Sequence, residues 1–273
     1  MSLSLSGPLL LVGAGKMGGA LLAGWLRQGL DPKSVYVQDP APSEDTAALL
    51  ASHGIPAEAD PRLPRAPAVM VMAVKPQIID EVLASLAPRV EAGTVVLSIA
   101  AGKTLASLAS HLPKGTAVVR AMPNTPAAIG RAMTVACANS AVTRDQALQC
   151  AMLLEAVGEA IFVDDESLLD AATAVSGSGP AYVFLLAECL AEAGEEAGLP
   201  PELAARLARQ TIAGAGELLH RSDLAPADLR KNVTSPKGVT AAALDVLMGK
   251  DGLAELLRRA VKKAAKRSRE LSR

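Results

Sequence analysis

Three glycines near the start of the chain have the spacing of a dinucleotide-binding loop. Gly13, Gly15 and Gly18 follow the apolar run Leu9–Val12 and precede a segment whose apolar residues recur at helical spacing. The first glycine allows a tight turn, the second lets backbone N–H groups approach a pyrophosphate, and the third lets the helix pack closely on the strand. A pyrophosphate would lie at the helix N-terminus, where unpaired N–H groups and the helix dipole favour negative charge.

An acidic residue stands where a ribose-binding carboxylate is expected. Asp39 follows a second predicted strand, 35–37, and lies about twenty residues beyond the last glycine of the loop. The alternative is a cluster of turn glycines that joins a strand to a core helix and binds no ligand. The combination of strand, glycines, helix and acid favours the dinucleotide site.

The elements that must position these residues alternate between strand and helix. Short apolar runs predict strands at residues 9–12, 35–37, 68–74, 94–99, 117–120, 133–138 and 160–163. Helical segments lie between most of them, including one expected to start at Pro76. This alternation predicts a Rossmann-like α/β fold, a doubly wound and mostly parallel sheet, as a dinucleotide-binding domain over residues 1–163.

The pattern changes at about residue 164, after which no strand-like run occurs. Predicted helices cover residues 168–198 with a break at 176–180, then 202–221, 227–232, 239–248 and 253–269. They are apolar or small on more than one face, which is more than a lone bundle of this size would bury. We therefore expect residues 164–273 to form an all-helical dimerisation and substrate-binding domain that packs against a second copy of the chain.

Composition narrows the class of protein. The chain has 273 residues, half of them hydrophobic, with 27 basic and 28 acidic side chains. This balance argues against a nucleic acid or membrane surface recognised by bulk charge. The three cysteines lack metal-ligand spacing, so we expect no metal site and no disulfide framework. The N-terminal apolar run is too short for a signal peptide or a membrane span, which predicts a soluble cytoplasmic protein.

The basic run 258–273 is interpreted as the solvated face and frayed end of the last helix.

A dinucleotide in such a fold binds outside the carboxyl ends of the strands. We therefore expect the pyrophosphate at Gly15, the adenosine ribose near Asp39, and the nicotinamide toward Lys75, Ala101 and Asn124. The full predicted cofactor set is Gly13, Ala14, Gly15, Lys16, Met17, Gly18, Asp39, Ala73, Val74, Lys75, Pro76, Ala100, Ala101, Gly102 and Asn124.

Two of these positions have an ordinary structural alternative. Lys75 could be a surface lysine, and Asn124, in the loop 122–126, could be a turn former.

The three histidines are not expected to take part in catalysis. None of His53, His111 and His220 has the carboxylate or cysteine arrangement of a general base, so none is expected to act as one.

A second segment, 232–240, combines hydroxyl side chains with several backbone N–H groups immediately before a predicted helix. These groups are suited to a carboxylate ligand, and they are equally suited to a helix cap and turn. From the residues alone both alternatives stay open.

Six motifs, in order along the chain, resemble those of the pyrroline-5-carboxylate reductase family. They cover residues 13–18, 73–77, 99–102, 120–126, 176–182 and 233–240. Particularly specific are Met-Pro-Asn-Thr-Pro at 122–126 and Ser-Gly-Ser-Gly-Pro-Ala at 176–181, which occur together here.

The resemblance implies the last step of proline biosynthesis, in which a hydride passes from NADPH or NADH to the C=N carbon of 1-pyrroline-5-carboxylate. It also implies a domain-swapped homodimer, often assembled further, in which helices of both subunits contribute to each site. The residues implied to bind the substrate carboxylate are Asn232, Ser235, Gly238, Val239 and Thr240. Thr240 is the implied catalytic residue, which hydrogen-bonds the ring nitrogen or relays its proton. Because the imine can arrive protonated, the enzyme needs placement more than a strong acid.

Two departures from the family pattern bear on the expected binding sites. Lys237 stands where the family usually has glycine, so an extra side chain lies at the expected carboxylate site. Asp39, Pro40 and Ala41 stand where users of NADPH often have a basic or hydroxyl residue. An acid there repels a 2′-phosphate, so we expect NADH to be used at least as well as NADPH.

Two other functions are compatible with parts of the sequence. A beta-hydroxyacid dehydrogenase needs a lysine one helical turn after its glycine pair, where this chain has Tyr182, Val183 and Phe184. A nucleotide-binding dimer without turnover would have no need of Asn232 and Thr240 beside a complete glycine loop. Both alternatives are less consistent with the residues than imine reduction.

Overall fold

A twisted β-sheet occupies the first part of the chain. Over residues 3–272, which the computed structural model describes, the strands are β1 (Leu9–Val12), β2 (Val35–Gln38), β3 (Ala57–Glu58), β4 (Val69–Met72), β5 (Val95–Ser98), β6 (Ala117–Met122), β7 (Ala132–Ala138) and β8 (Gly158–Phe162). Their order across the sheet is β3-β2-β1-β4-β5-β6-β7-β8. Neighbouring strands are parallel except β6 and β7, which are antiparallel. The predicted doubly wound, mostly parallel fold is confirmed.

The helices of the described chain follow the same alternation and then continue without strands. They are α1 (Lys16–Arg27), α2 (Glu44–His53), α3 (Ile79–Leu86), α4 (Leu105–Ala109), α5 (Arg144–Glu155), α6 (Leu168–Ala172), α7 (Gly179–Glu196), α8 (Pro201–Arg221), α9 (Pro226–Asn232), α10 (Val239–Leu247) and α11 (Leu253–Leu271). Three short 3₁₀ turns lie at connections within the described chain: Pro32–Ser34, Ala87–Arg89 and Thr125–Ile129.

The core lies on both faces of the sheet, which explains why the central strands β1 and β4 are apolar throughout. Leu9 and Leu11 of β1 belong to a cluster with side chains of α1 and α5, whereas Leu10 and Val12 belong to a second cluster with side chains of α3 and α4. A parallel strand covered on both faces has no solvent-facing positions, so alternation with polar residues disappears. On the first face Trp25 is fully buried, and its indole N–H donates to the Leu153 carbonyl at 2.8 Å.

One local prediction was wrong, and one short strand was not predicted. The third helix begins at Ile79, not at Pro76, because residues 75–78 form a turn in which the Ile78 N–H donates to the Lys75 carbonyl at 3.2 Å. Proline fits this turn as well as it fits a helix start, and the turn places Ile79 in the core while Ile78 stays exposed. Strand β3 was not predicted, because both its residues are exposed and only backbone pairing with β2 defines it.

The predicted break in the long helix takes the form of a π-helical turn. Residues Thr173–Gly177 form this turn between α6 and α7. The hydroxyl of Thr173 donates to the Leu169 carbonyl at 2.7 Å, and that of Ser176 donates to the Ala172 carbonyl at 2.9 Å. Such turns leave backbone carbonyls without their regular helical partners and are common at functional sites.

The described chain divides into two compact units. The first contains the residues up to Gly177 together with those from Ala264 onward, and the second contains Ser178–Lys263. The boundary between these units falls after Gly177, 14 residues beyond the predicted functional boundary after residue 163. That functional division stays a prediction. In the second unit α7 packs against α8, and the connection between them turns at Gly198, whose φ is 100°.

The interpretation of the C-terminal segment as a frayed end was wrong. Helix α11 continues to Leu271, and Ala265 and Ser268 are buried within the first unit. The Ser268 hydroxyl donates to Asp170 Oδ1 at 2.6 Å. The small residues of this helix form a packed stripe, while the lysines and arginines between them stay exposed.

Candidate functional site

The glycine loop leaves β1 in a conformation that explains two of its glycines. Gly13 has a φ of 92°, and a Cβ atom at this position would lie 2.7 Å from the Ala73 carbonyl oxygen. A Cβ atom on Gly18 would collide with the Gly13 carbonyl oxygen. Close packing of α1 on the end of β1 and β4 therefore requires glycine at both positions.

Gly15 is different, because no atom lies within 4 Å of the position that its Cβ atom would take. It is the N-cap residue of α1, which has no side-chain cap and no acidic residue in its first turn. Backbone N–H groups at this helix start therefore face open space, and Lys16 beside them is exposed. This geometry fits a pyrophosphate group. Ala14 is fully buried, and Met17 packs against the core.

Asp39 lies directly at the glycine loop. Its Oδ2 atom accepts a hydrogen bond from the Ala14 N–H at 2.6 Å, and its Oδ1 atom accepts one from the Ala41 N–H at 2.8 Å. Two backbone donors thus fix the orientation of the carboxylate. Each carboxylate oxygen keeps a lone pair that ribose hydroxyl groups can use.

The connection after β4 closes the other side of the loop. The Ala73 N–H donates to the Val12 carbonyl at 2.8 Å, which brings residues 73–76 beside the glycines. Val74 and Pro76 are half-buried and Lys75 is exposed. In the sheet, β2 lies on one side of β1 and β4 lies on the other, so the strand order reverses at β1. Sheets of this kind bind ligands at the point of reversal.

The predicted nicotinamide side consists of the loops after β5 and β6. Ala100 is buried, Ala101 is exposed, and Gly102 has a φ of 72°. The backbone of Leu271 lies so close that a Cβ atom on Gly102 would be 3.1 Å from the Leu271 carbonyl oxygen. The last turn of α11 therefore supports this turn of the site from outside.

Asn124 has a structural role in its loop. Its Nδ2 atom donates to the Ser176 carbonyl at 3.0 Å, and its Oδ1 atom accepts from the Met133 N–H at 2.9 Å. The amide thus ties the loop after β6 to β7 and to the π-helical turn. Contact with the cofactor by Asn124 stays a prediction.

An ion pair that the sequence analysis missed holds the same region. Arg120, whose side chain is 3% exposed, donates from Nη1 to Glu166 Oε1 at 2.8 Å. The same oxygen accepts from the Leu105 N–H at 2.8 Å. Glu166 therefore joins the central strand β6 to the start of α4, just after the Ala100–Gly102 turn. A buried arginine in a central strand signals the need for a counter-charge, but nothing in the sequence identifies Glu166 as its partner.

A second missed contact concerns a histidine. His111 does have a carboxylate neighbour, since its Nε2 atom lies 3.4 Å from Asp80 Oδ1. The other oxygen of Asp80 binds Lys103 Nζ at 2.6 Å. The acid comes from α3 and the histidine follows α4, so only packing brings them together. Because Lys103 already neutralises Asp80, this contact does not give His111 the isolated carboxylate partner of a general base.

Two cysteines are excluded as nucleophiles by their surroundings. Burial raises the pKa of Cys150 to about 12. Burial and the nearby Glu166 carboxylate also raise the pKa of Cys137. Both side chains therefore stay protonated thiols at neutral pH, and the thiolate is the reactive form.

The segment 232–240, in the second unit, forms a turn that leads into α10. Asn232 ends α9, and the Gly238 N–H donates to the Ser235 carbonyl at 3.0 Å. A Cβ atom on Gly238 would collide with the Ser235 hydroxyl, so this hydroxyl lies against the Gly238 backbone. Lys237 has a φ of 59°, the left-handed region that non-glycine residues rarely adopt.

Helix α10 begins immediately after this turn. Gly238 is its N-cap, and the helix has neither a side-chain cap nor an acidic residue in its first turn. Val239 is exposed and Thr240 is half-buried. The structure thus brings Ser235, Gly238 and the first residues of α10 together, and the unpaired N–H groups of this helix start can donate hydrogen bonds to an anion.

Fold and site together define a class: a dinucleotide-binding α/β protein with a helical C-terminal part. Within this class, comparison with known proteins identifies the family. A family model described as pyrroline-5-carboxylate reductase dimerisation matches residues 166–271, and one described as NADP oxidoreductase, coenzyme F420-dependent, matches residues 9–102.

Whole-chain relatives agree with these matches. The chain is 40% identical to pyrroline-5-carboxylate reductase of Pseudomonas aeruginosa over 96% of its own length and 95% of the relative's. It is 39% identical to the enzyme of Pisum sativum over 96% and 94% of the two lengths. The structure of a pyrroline-5-carboxylate reductase from Coxiella burnetii matches with a TM-score of 0.90 at 34% identity, covering 98% of this chain and 100% of that one. This chain belongs to the pyrroline-5-carboxylate reductase family.

Proposed function

We propose that this protein reduces 1-pyrroline-5-carboxylate to L-proline with NADH or NADPH, as the final step of proline biosynthesis in the cytoplasm. The observation that carries the proposal is the presence, in one chain, of the open Gly15 loop beside Asp39 and the hydroxyl-bearing turn before α10. Relatives that bear the name of this activity match along nearly the whole chain. A related Plasmodium falciparum structure, 29% identical with a TM-score of 0.81, has NADP bound.

The glycine loop and its neighbours bind the cofactor in this proposal. Backbone N–H groups at the start of α1 hold the pyrophosphate, and Asp39 accepts hydrogen bonds from a ribose. Lys75, Ala101 and Asn124 line the nicotinamide side, and the remaining residues of the predicted set shape the cradle. The bound cofactor supplies the hydride.

The turn before α10 holds the substrate. Asn232 and Ser235 donate hydrogen bonds to the substrate carboxylate. The backbone of Gly238, the N-cap, and the N–H groups of Val239 and Thr240 add the positive end of the helix dipole. The Thr240 hydroxyl donates to, or relays a proton to, the ring nitrogen. Hydride addition at the C=N carbon and one proton on nitrogen complete the reduction. Fixing the imine in this orientation supplies most of the catalytic effect that these residues can give.

A homodimer explains the apolar surface of the second unit. Large side chains with substantial exposure within the described chain include Phe184, Leu185, Leu218, Val239, Val246 and Met248. The stretch Leu168–Glu196 has a mean hydropathy of 1.3 over its most apolar 18 residues and is 6% buried there, so by length and composition alone it could also cross a membrane. The dimerisation family model covers this stretch, which favours a second copy as its partner. Light scattering at micromolar concentration should give twice the chain mass or an even multiple; a monomer would contradict the dimer.

Oxidation of NADH or NADPH at 340 nm with 1-pyrroline-5-carboxylate, together with detection of proline, tests the activity. Thr240→Val removes the hydroxyl at constant shape and should lower kcat by about 100-fold or more if this group serves the ring nitrogen. Thr234→Val is the matched control, because its hydroxyl donates to the Arg230 carbonyl within the same segment. Wild-type kcat in Thr240→Val would refute the role of Thr240. Nucleotide binding without proline formation would refute the function and favour a non-catalytic dimer.

A further inference from the structure

The carboxylate of Asp39 is fixed at the position where a cofactor ribose approaches the glycine loop. Its two oxygens accept from the Ala14 N–H at 2.6 Å and from the Ala41 N–H at 2.8 Å. The first bond anchors the acid to the loop that precedes α1, and the second anchors it to the connection after β2. Asp39 therefore cannot turn away from a ligand at the loop without losing two charge-assisted hydrogen bonds.

The connection that follows Asp39 carries no cation. Residues 39–46 read Asp-Pro-Ala-Pro-Ser-Glu-Asp-Thr, with no lysine, arginine or histidine. The Ser43 hydroxyl, the first hydroxyl after Asp39, is paired with the Thr46 hydroxyl at 2.8 Å. Glu44 and Asp45 add negative charge in the first turn of α2. Residues 39–46 thus offer acceptors and negative charge, and no positive charge.

We propose that Asp39 makes this protein select NADH over NADPH, an inference that rests on the proposed cofactor site. A ribose with free 2′- and 3′-hydroxyl groups donates hydrogen bonds to the fixed carboxylate. A 2′-phosphate has no proton to donate once it is fully ionised, and it places a charge of about −1.5 to −2 beside Asp39. At about 5 Å, even with the dielectric constant of water, this repulsion corresponds to about a tenfold loss of affinity.

Binding measurements test the inference without the imine. Isothermal titration of the full-length protein with NADH and with NADPH should give an NADPH Kd at least about tenfold higher. Because the discrimination is electrostatic, the Kd ratio should narrow as salt is raised from about 0.01 to 1 M. The same ratio should appear in kcat/KM with 1-pyrroline-5-carboxylate.

Asp39→Asn keeps the size of the side chain and removes its charge. We expect the Kd ratio to shrink about tenfold, mainly through tighter NADPH binding. Asp31→Asn is the matched control, since Asp31 lies at the opposite end of β2 and also accepts from an N–H two residues on, that of Lys33, at 3.0 Å. Ala41→Arg provides a second variant that leaves Asp39 in place. It adds a cation on an exposed residue and should tighten NADPH binding alone.

The outcomes separate this inference from the proposed function. Equal or tighter binding of NADPH by the wild-type protein would overturn the selectivity, as would an unchanged ratio in both Asp39→Asn and Ala41→Arg. Imine reduction that prefers NADPH would overturn the selectivity and leave the function standing. Selective NADH binding without imine reduction would support the role of Asp39 and refute the function.

Discussion

Glu166 is a position where a single substitution should lower the stability of the fold through loss of a buried ion pair. Its carboxylate binds the Arg120 guanidinium and the Leu105 N–H through one oxygen. The Nε and Nη2 atoms of Arg120 are buried without a hydrogen-bond partner, so Glu166 is the counter-charge of that guanidinium among the described residues. Glu166→Ala would therefore leave a buried arginine unpaired and the start of α4 without its acceptor.

The cost follows from this burial. Removing one partner of a buried ion pair costs about 3–5 kcal/mol, and the 28% exposure of the Glu166 side chain places this pair near the lower end. We expect the free energy of unfolding to fall by about 3 kcal/mol. For a unit of this size that corresponds to a fall in Tm of about 6–12 °C.

Three further variants make the experiment specific. Glu166→Gln keeps an acceptor for the Leu105 N–H but loses the charge, so its loss should be smaller. The double variant Arg120→Met, Glu166→Leu removes both charges and should recover most of the lost stability. Glu155→Ala, at the exposed end of α5, controls for loss of a surface acid. Urea unfolding followed by tryptophan fluorescence measures all four, because Trp25 is the only tryptophan in the chain. A loss below about 1 kcal/mol in Glu166→Ala, or a double variant less stable than Glu166→Ala, would refute the reasoning.

Three other predictions follow from single positions. Gly18→Ala should raise the Kd for NADH at least about tenfold, because its Cβ atom would collide with the Gly13 carbonyl oxygen. Gly93→Ala is the control, because open space surrounds its Cβ atom, and it should leave this Kd unchanged. Equal titration curves for the two variants would contradict the prediction. The free energy of unfolding should fall as the pH rises from 9.0, the ordinary pKa of cysteine, toward about 12, the pKa of buried Cys150, because the unfolded chain loses its proton first. Urea unfolding at several pH values should show a shallower fall in Cys150→Ala, and parallel curves would exclude this origin. Lys237→Gly should be more stable than Lys237→Ala by roughly 0.5–1 kcal/mol. Glycine relieves the strain of the left-handed backbone at this position, and this gain exceeds the cost of its greater backbone entropy in the unfolded chain. An equal or reversed order of Tm would contradict the prediction.

Local patterns in the sequence were sufficient for the cofactor half of the site. The apolar run before Gly13, the three glycines and Asp39 predicted a strand, a loop, a helix and an acid, and the structure has all four in contact. These features depend on residues close together in sequence and on backbone conformations that few residue types adopt. The start of α3 was misplaced for the same kind of reason, because a proline fits a turn and a helix start equally well.

Contacts between distant segments could not be predicted in this way. Glu166 and Arg120 are 46 residues apart, and Asn124 and Ser176 are 52 apart, so nothing in either neighbourhood specifies its partner. The same holds for the close approach of Leu271 to Gly102.

The sequence by itself therefore determined the family, the class of fold and the residue types offered to a dinucleotide and a cyclic imino acid. Only the tertiary structure decided which carbonyl Asn124 ties down, which acid neutralises Arg120, and that Asp39 is bonded to the glycine loop. The physical reason is that residue type and local spacing fix backbone preferences and hydrophobic periodicity. The pairing of buried polar groups is decided by the packing of the whole sheet and its helices, which leaves each buried group few partners within reach.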